Sequence, residues 1–170
     1  MNMRAVPPPN DFDEFFRQSY AELARLGFSL TGNRDAAEDL VQDTMAKAFG
    51  RWKRLLNHDR PDLWCKRVLI NDAYSRSRKL TREAAALLRR GQDATEVSDI
   101  ADFHAAEEFA RAVSLLPRRQ AQTVVLTYLT QLSSAEVASV IGCSESTVRV
   151  HLHSARQTLS TTWIGPAHDF

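Results

Sequence analysis

A chain of 170 residues with 44% hydrophobic and 25% charged content has room for one domain, or for two of roughly 70 to 90 residues. No apolar run approaches the roughly 20 residues of a membrane span, and Met1–Asn10 is Pro-rich and lacks the apolar core of a signal peptide, so the sequence predicts a cytoplasmic protein without membrane insertion. A net charge of +1 says little about partners until its distribution is read.

Six glycines, few β-branched alternations and Ala/Leu/Arg-rich windows predict an all-α fold. Asp11 followed by Glu14 resembles a capping box, and Phe12, Phe15, Phe16, Tyr20, Leu23 and Leu26 form the apolar stripe of a first helix. Thr31-Gly32-Asn33 ends it in a turn. A second helix is expected from Arg34 to Arg54, burying Ala37, Leu40, Val41, Thr44, Ala48 and Trp52. On its other side Asp39, Gln42 and Asp43 stand at i, i+3, i+4, an acidic face. Leu55–Arg60 reads as a loop containing Asn57 and His58.

Asp59 can cap a third helix with Pro61 in its first turn. That helix carries Leu63, Trp64, Arg67, Val68, Asn71, Tyr74 and Arg78 and ends in a basic run, with Thr81–Arg90 as a helical lead-in to an acidic stretch. That stretch, Gly91–Asp102, is aperiodic and is expected to be a flexible linker. The predicted organisation is therefore a helical domain over 11–90, a linker over 91–102 and a second helical domain over 103–163. Cys65 and Cys143 fall in separate helical units and are expected to be reduced thiols.

Charge follows this division. Between Asp11 and Asp43 eight acids face three bases; between Arg51 and Arg90 twelve bases face four acids; Gly91–Ala110 holds six acids and no base. Such blocks can be solvated faces, but the alternation also suits one nucleic-acid surface beside separate protein-binding surfaces.

In the second domain Phe103–Leu116 leads to Pro117, which starts a helix with Arg118 and Arg119 in its first turn and Val124, Val125, Tyr128 and Leu129 on its core face. Ser133–Ile141 then reads as a short helix capped by a Ser133/Glu136 box. Gly142-Cys143-Ser144 gives a tight turn, with Gly available for positive φ. Ser144 caps a last helix through Leu159, which buries Val148, Leu152, Ala155 and Leu159 and turns Arg149, Val150, His153 and Arg156 outward. This is a helix-turn-helix, whose second helix offers its N-terminal half to the DNA major groove.

Taken together, these blocks resemble the bacterial RNA polymerase sigma factors of the extracytoplasmic-function group, over Phe12 to Trp163 and in the family's order. Ala37-Glu38-Asp39-Leu40-Val41-Gln42-Asp43 resembles the segment that docks on the β′ clamp coiled coil. Trp64, Val68, Asn71 and Arg78 fit the helix that lies on the −10 promoter element. Leu115–Gln120, Ala135–Ala138 and Ser146–Arg149 are similar to the −35-binding domain. The resemblance implies a protein that binds core RNA polymerase through its β′ clamp and β subunits and directs promoter recognition, DNA opening and initiation. Asp39, Gln42 and Asp43 would bind polymerase. Asn57, His58, Arg67, Asn71, Arg76, Arg78 and Lys79 would bind −10 DNA, with a flipped base held beside the loop Leu55–Pro61. Arg118, Ser146, Thr147, Arg149, Val150, His153, Ser154 and Arg156 would bind −35 DNA. An anti-sigma factor is a further partner the resemblance allows.

The chain departs from the family at several points. The −10 loop lacks the Phe and Gly often found there, Cys65 stands where Leu is usual, and His151 and Ser154 replace two arginines of the recognition helix, which predicts a weaker and less salt-dependent −35 contact. His151 and His153 are two residues apart and form no metal set with Cys143. No cofactor, metal or catalytic constellation stands out, so an enzyme is not expected. Two other functions fit the residues alone: a helix-turn-helix regulator acting without polymerase, and a sequestering module that never touches DNA.

Overall fold

The computed structural model describes residues 11–57, 60–88 and 104–162, and among these every regular element is a helix. The helices are α1 (Phe12–Thr31), α2 (Arg34–Phe49), α3 (Trp52–Leu55), α4 (Pro61–Leu88), α5 (His104–Ser114), α6 (Arg118–Tyr128), α7 (Ser134–Ile141) and α8 (Glu145–Thr162). The expected linker at 91–102, together with His58 and Asp59, lies outside the described residues.

Helices α1, α2 and α4 pack around Leu23, Leu26, Leu40, Val41, Leu69 and Ile70, all essentially excluded from solvent. The crossing of α1 and α2 is close because position 27 is glycine: a Cβ there would stand 3.3 Å from the Cα, Cβ and carbonyl oxygen of Ala37. Helices α6, α7 and α8 enclose Val125, Leu126, Val137, Val148 and Ala155. The Ser133/Glu136 capping box is closed in both directions, and Gly142 adopts φ 72° at the helix-turn-helix corner, where L side chains are strained.

Three expectations change. Asp11 caps α1 by accepting from the Asp13 N–H at 3.2 Å, but Glu14 accepts from Gln18 at 3.1 Å instead of closing a box. The second helix stops at Phe49 rather than reaching Arg54. Gly50 and Arg51 break it, and the break swings Trp52 into an aromatic group, with ring centroids 4.9 Å from Phe15 and 5.3 Å from Phe12. The third helix does not stop at its basic run: the helicity expected from Thr81 onward is part of the same helix, unbroken to Leu88, since no Pro or Gly stands between Pro61 and Leu88 and Ala84–Leu88 are strong helix formers. Beyond what the sequence addressed, α5 precedes the helix-turn-helix in sequence but lies mainly against α1, so the two halves of the chain are packed together.

Candidate functional site

Three surfaces carry the predicted residues. On α2, Leu40, Val41, Thr44 and Ala48 face the core, which leaves Asp39, Gln42 and Asp43 exposed as expected. Ala46 and Phe49 continue that face one and two turns on, and Phe49 is 67% exposed with its ring edge-on to Phe12. Sequence reasoning passed over Phe49; the available signal was an aromatic lying off the buried stripe. The face is tied to α4 at two points, by an Asp43–Arg76 ion pair and by Lys47 Nζ to Asp72 at 2.5 Å.

On α4, Arg67, Asn71, Tyr74 and Arg78 recur at i, i+4, i+7 and i+11, one stripe of the helix. Arg67, Asn71 and Arg78 are exposed, as are Lys79 and, in the turn after α3, Asn57. Arg76 does not join them. It points toward α2 and pairs with Asp43, so a residue expected at −10 DNA and one expected at polymerase are bonded to each other. His58 lies outside the described residues. Arg67 reaches the other half of the molecule: its Nε donates to the Val140 carbonyl at 3.1 Å and its Nη2 to that of Ser139. Tyr74 stands beneath the Arg118 guanidinium, 4.7 Å from the ring centroid, and its hydroxyl donates to the Arg118 carbonyl at 3.3 Å. Burial pushes the Tyr74 hydroxyl up to about 12 despite the opposing Arg118 charge, so it acts as a neutral donor.

On α8, Ser146, Arg149, Val150 and His153 form one exposed face and Arg156 borders it, with its Nη2 3.0 Å from the Tyr128 hydroxyl. Val150 is 61% exposed, an apolar group offered to solvent on a polar face. Ser144, Ser146 and Thr147 join through hydroxyl contacts of 2.8 Å at the helix start, and the Thr147 N–H caps on Ser144 at 3.2 Å. Thr147 and Ser154 are half-buried at the edge of the face. Arg118 is exposed at the start of α6 but turned to Tyr74, apart from the α8 face.

Among the described residues no group of His, Cys, Asp and Glu is arranged to hold a metal, and no helix is long and apolar enough to cross a membrane. Both cysteines are free, and burial pushes the Cys65 thiol up to about 12, which leaves it inert.

These three surfaces, in this order, coincide with two known sequence families. Residues 15–83 match Sigma-70 region 2, and residues 106–159 match Sigma-70, region 4. The chain is similar to the RNA polymerase sigma-E factor of Streptomyces antibioticus, 32% identical over 85% of this chain and 80% of the relative. It is also similar to the ECF RNA polymerase sigma factor EcfG of Rhodopseudomonas palustris, 28% identical over 87% of this chain and 83% of the relative. The chain belongs to the extracytoplasmic-function group of RNA polymerase sigma factors. The fold of this sigma factor matches that of the sigma factor RpoE of Bartonella quintana, solved in complex with the anti-sigma factor NepR. The TM-score is 0.75 and the identity 26%, over 90% of this chain and 96% of that one. The region 2 match covers α1 to α3 and most of α4, and the region 4 match covers α5 to α8 save their outermost residues.

Proposed function

We propose that this sigma factor holds core RNA polymerase through the exposed face of α2 and reads promoters with α4 and α8. The observation that carries the reading is the placement of three chemically distinct surfaces on the two sigma regions. Asp39, Gln42 and Asp43 offer carboxylates and an amide that give charge complementarity and register to a basic partner. Phe49 adds an apolar anchor of the kind that dominates interface energetics. The stripe Arg67–Asn71–Arg78 with Lys79 and Asn57 suits phosphates and the unwound −10 strand. Arg76 reaches DNA only by leaving Asp43.

On α8 the major-groove readers are Ser146, Arg149, Val150 and His153. Arg149 has guanine-edge chemistry, Val150 fits a thymine methyl, and the hydroxyl-rich helix start suits a phosphate. Thr147, Ser154 and Arg156 flank the reading face, and Arg118 is a backbone contact once Tyr74 releases it. The units that carry these roles are 11–90 and 103–163, with 91–102 between them. Bond-making chemistry belongs to the polymerase, and the work is done in the cytoplasm, where polymerase and chromosome meet. The likeness to a sigma factor solved with its anti-sigma factor supports a regulator of that kind here.

Run-off transcription over a promoter library tests the whole reading: core polymerase alone gives no specific starts, and adding this protein confers them. Co-purification with core without specific starts would refute promoter direction. Asp39→Arg with Asp43→Arg is expected to lower core affinity by about 100-fold, as reversal of two interface charges does, with helix content unchanged by circular dichroism. Undiminished affinity would sink the docking assignment.

A further inference from the structure

The corner between α7 and α8 is held by backbone bonds on one side and by a side chain of α6 on the other. Ile141 is the last residue of α7, and Gly142 follows it at φ 72°, a conformation that glycine enters and leaves at little cost. Two backbone bonds close the turn, from the Gly142 and Cys143 N–H groups to the Ala138 carbonyl at 2.9 and 3.1 Å. The Ile141 carbonyl, at the end of the helix, has no partner within it. Arg119, in the first turn of α6, supplies one. Its Nη1 donates to the Ile141 carbonyl at 2.7 Å and lies 3.5 Å from Oε1 of Gln122. Gln122 is buried, so the second acceptor of this guanidinium is fixed in the core. Arg119 belongs to none of the three surfaces, although it stands beside Arg118.

The far end of α8 is pinned to the same helix. Thr158 Oγ1 donates to Oε1 of Gln120 at 3.3 Å, Arg156 reaches Tyr128, and Ala155 and Leu159 are buried. With that end fixed, any freedom at the corner becomes a swing of the N-terminal half. Val148 anchors this half in the core, but an apolar contact sets no direction. Arg149 is nine residues from Thr158, about 13 Å along the helix, so a swing of about 10° carries it about 2 Å. A hydrogen bond to a base edge does not survive a displacement of that size.

We infer that Arg119 is a positioning residue for promoter recognition: its hold on the Ile141 carbonyl aims α8, so that Ser146, Arg149 and Val150 meet base edges together. The inference rests on the proposed reading of −35 DNA by α8. It separates Arg119 from its neighbour. Arg118 adds charge toward the DNA backbone, which carries no sequence information, whereas Arg119 adds the geometry on which discrimination depends. Arg67 holds the two preceding carbonyls of α7 from α4, but promoter DNA also claims Arg67. Arg119 lies in the same sigma region as α7 and α8 and keeps its hold when DNA is bound.

The test is base discrimination by holoenzyme, formed from core polymerase and the full chain, on duplexes randomised over the −35 element. Arg119→Met keeps most of the side chain's bulk and removes its donors. It is expected to cut the preference for the best sequence over single-base changes by about ten-fold, the scale of one good base contact, and at several positions at once. Arg119→Lys, which keeps the charge and a donor, should restore most of that preference. Arg118→Met should weaken all sequences alike and reduce the salt slope by about one. Arg119 is exposed, and circular dichroism with a melting curve verifies that its variants fold. If Arg119→Met behaves as Arg118→Met does, Arg119 is a phosphate contact and the positioning role is overturned. A lower melting temperature with preference intact overturns it as well, since the bond then serves stability alone. A parent holoenzyme without base preference sinks the reading of α8 and the positioning role together; preference in the parent that survives in Arg119→Met sinks only the latter.

Discussion

Lys66 shows how much a single side chain can organise. It is 3% exposed, yet it carries its ammonium between Glu22 and Asp62 at the start of α4. Burial alone would discourage ionisation of Asp62, but the Arg60 hydrogen bond and the Lys66 and Arg60 charges outweigh it and hold that carboxyl below its ordinary value. Lys66→Ala is expected to cost about 2 kcal/mol in urea unfolding, less than for a fully buried pair because water recovers part of the hydration of its partners. Lys66→Met should retain the packing part and lose only the charge part. Thr44 makes the opposite case. Its hydroxyl is buried in α2 with no hydrogen-bond partner among the described residues, so Thr44→Val should raise stability by about 1 kcal/mol. A lower unfolding midpoint in that variant would contradict the packing described. Helical periodicity placed Thr44 on the buried stripe, whereas nothing local announces Lys66, which sits between Cys65 and Arg67 in what reads as a basic segment.

At the scale of the element, the helix-turn-helix was the most legible part of the chain. Ser133, Glu136, Gly142 and Ser144 are short-range signals whose capping partners lie within four residues, and all cap as their chemistry suggests. Because α8 buries Val148, Ala155 and Leu159, the face bearing Arg149 and Val150 followed from helical periodicity. Arg149→Ala is expected to weaken promoter binding by about 1–3 kcal/mol and to relax preference at one base pair, read from sequences selected out of a random duplex library. Arg156→Ala should weaken binding across all sequences without altering preference, since Arg156 lies at the edge of the face beside Tyr128. Helix ends set by distant packing were less legible. The stop at Phe49 depends on Gly50 together with the pull of the Phe12–Phe15 cluster on Trp52, a contact between residues almost forty positions apart.

For the whole molecule, the seam between α4 and α7 should respond to acid. Desolvation works against ionisation of Glu136, but the Arg60 and Ser133 hydrogen bonds prevail and lower its carboxyl from the ordinary range, as with Asp62. A carboxyl lowered in the folded chain contributes stability that is fully present above its unfolded pKa of about 4 and is lost as pH falls through the lower folded value. The melting temperature should therefore hold from neutrality to about pH 5 and fall below about pH 4, and Glu136→Gln should blunt that fall. An acid limb identical in parent and variant would remove Glu136 from the seam.

The sequence by itself determined the helical fold, the order of the sigma regions and the exposed acidic face of α2. The helical fold and the acidic face rest on periodicity and capping within a few turns of one helix, and the order of the regions rests on the resemblance of three sequence blocks to the sigma family. Only the tertiary structure decided which of the cationic side chains are engaged inside the chain. Arg67 meets carbonyls more than seventy residues away, Arg76 turns back to Asp43, and Arg118 covers Tyr74. A long, flexible cation can satisfy itself with DNA, solvent or a distant carbonyl, and its local sequence is the same in all three cases. The choice is made by which acceptor the packed helices bring within reach.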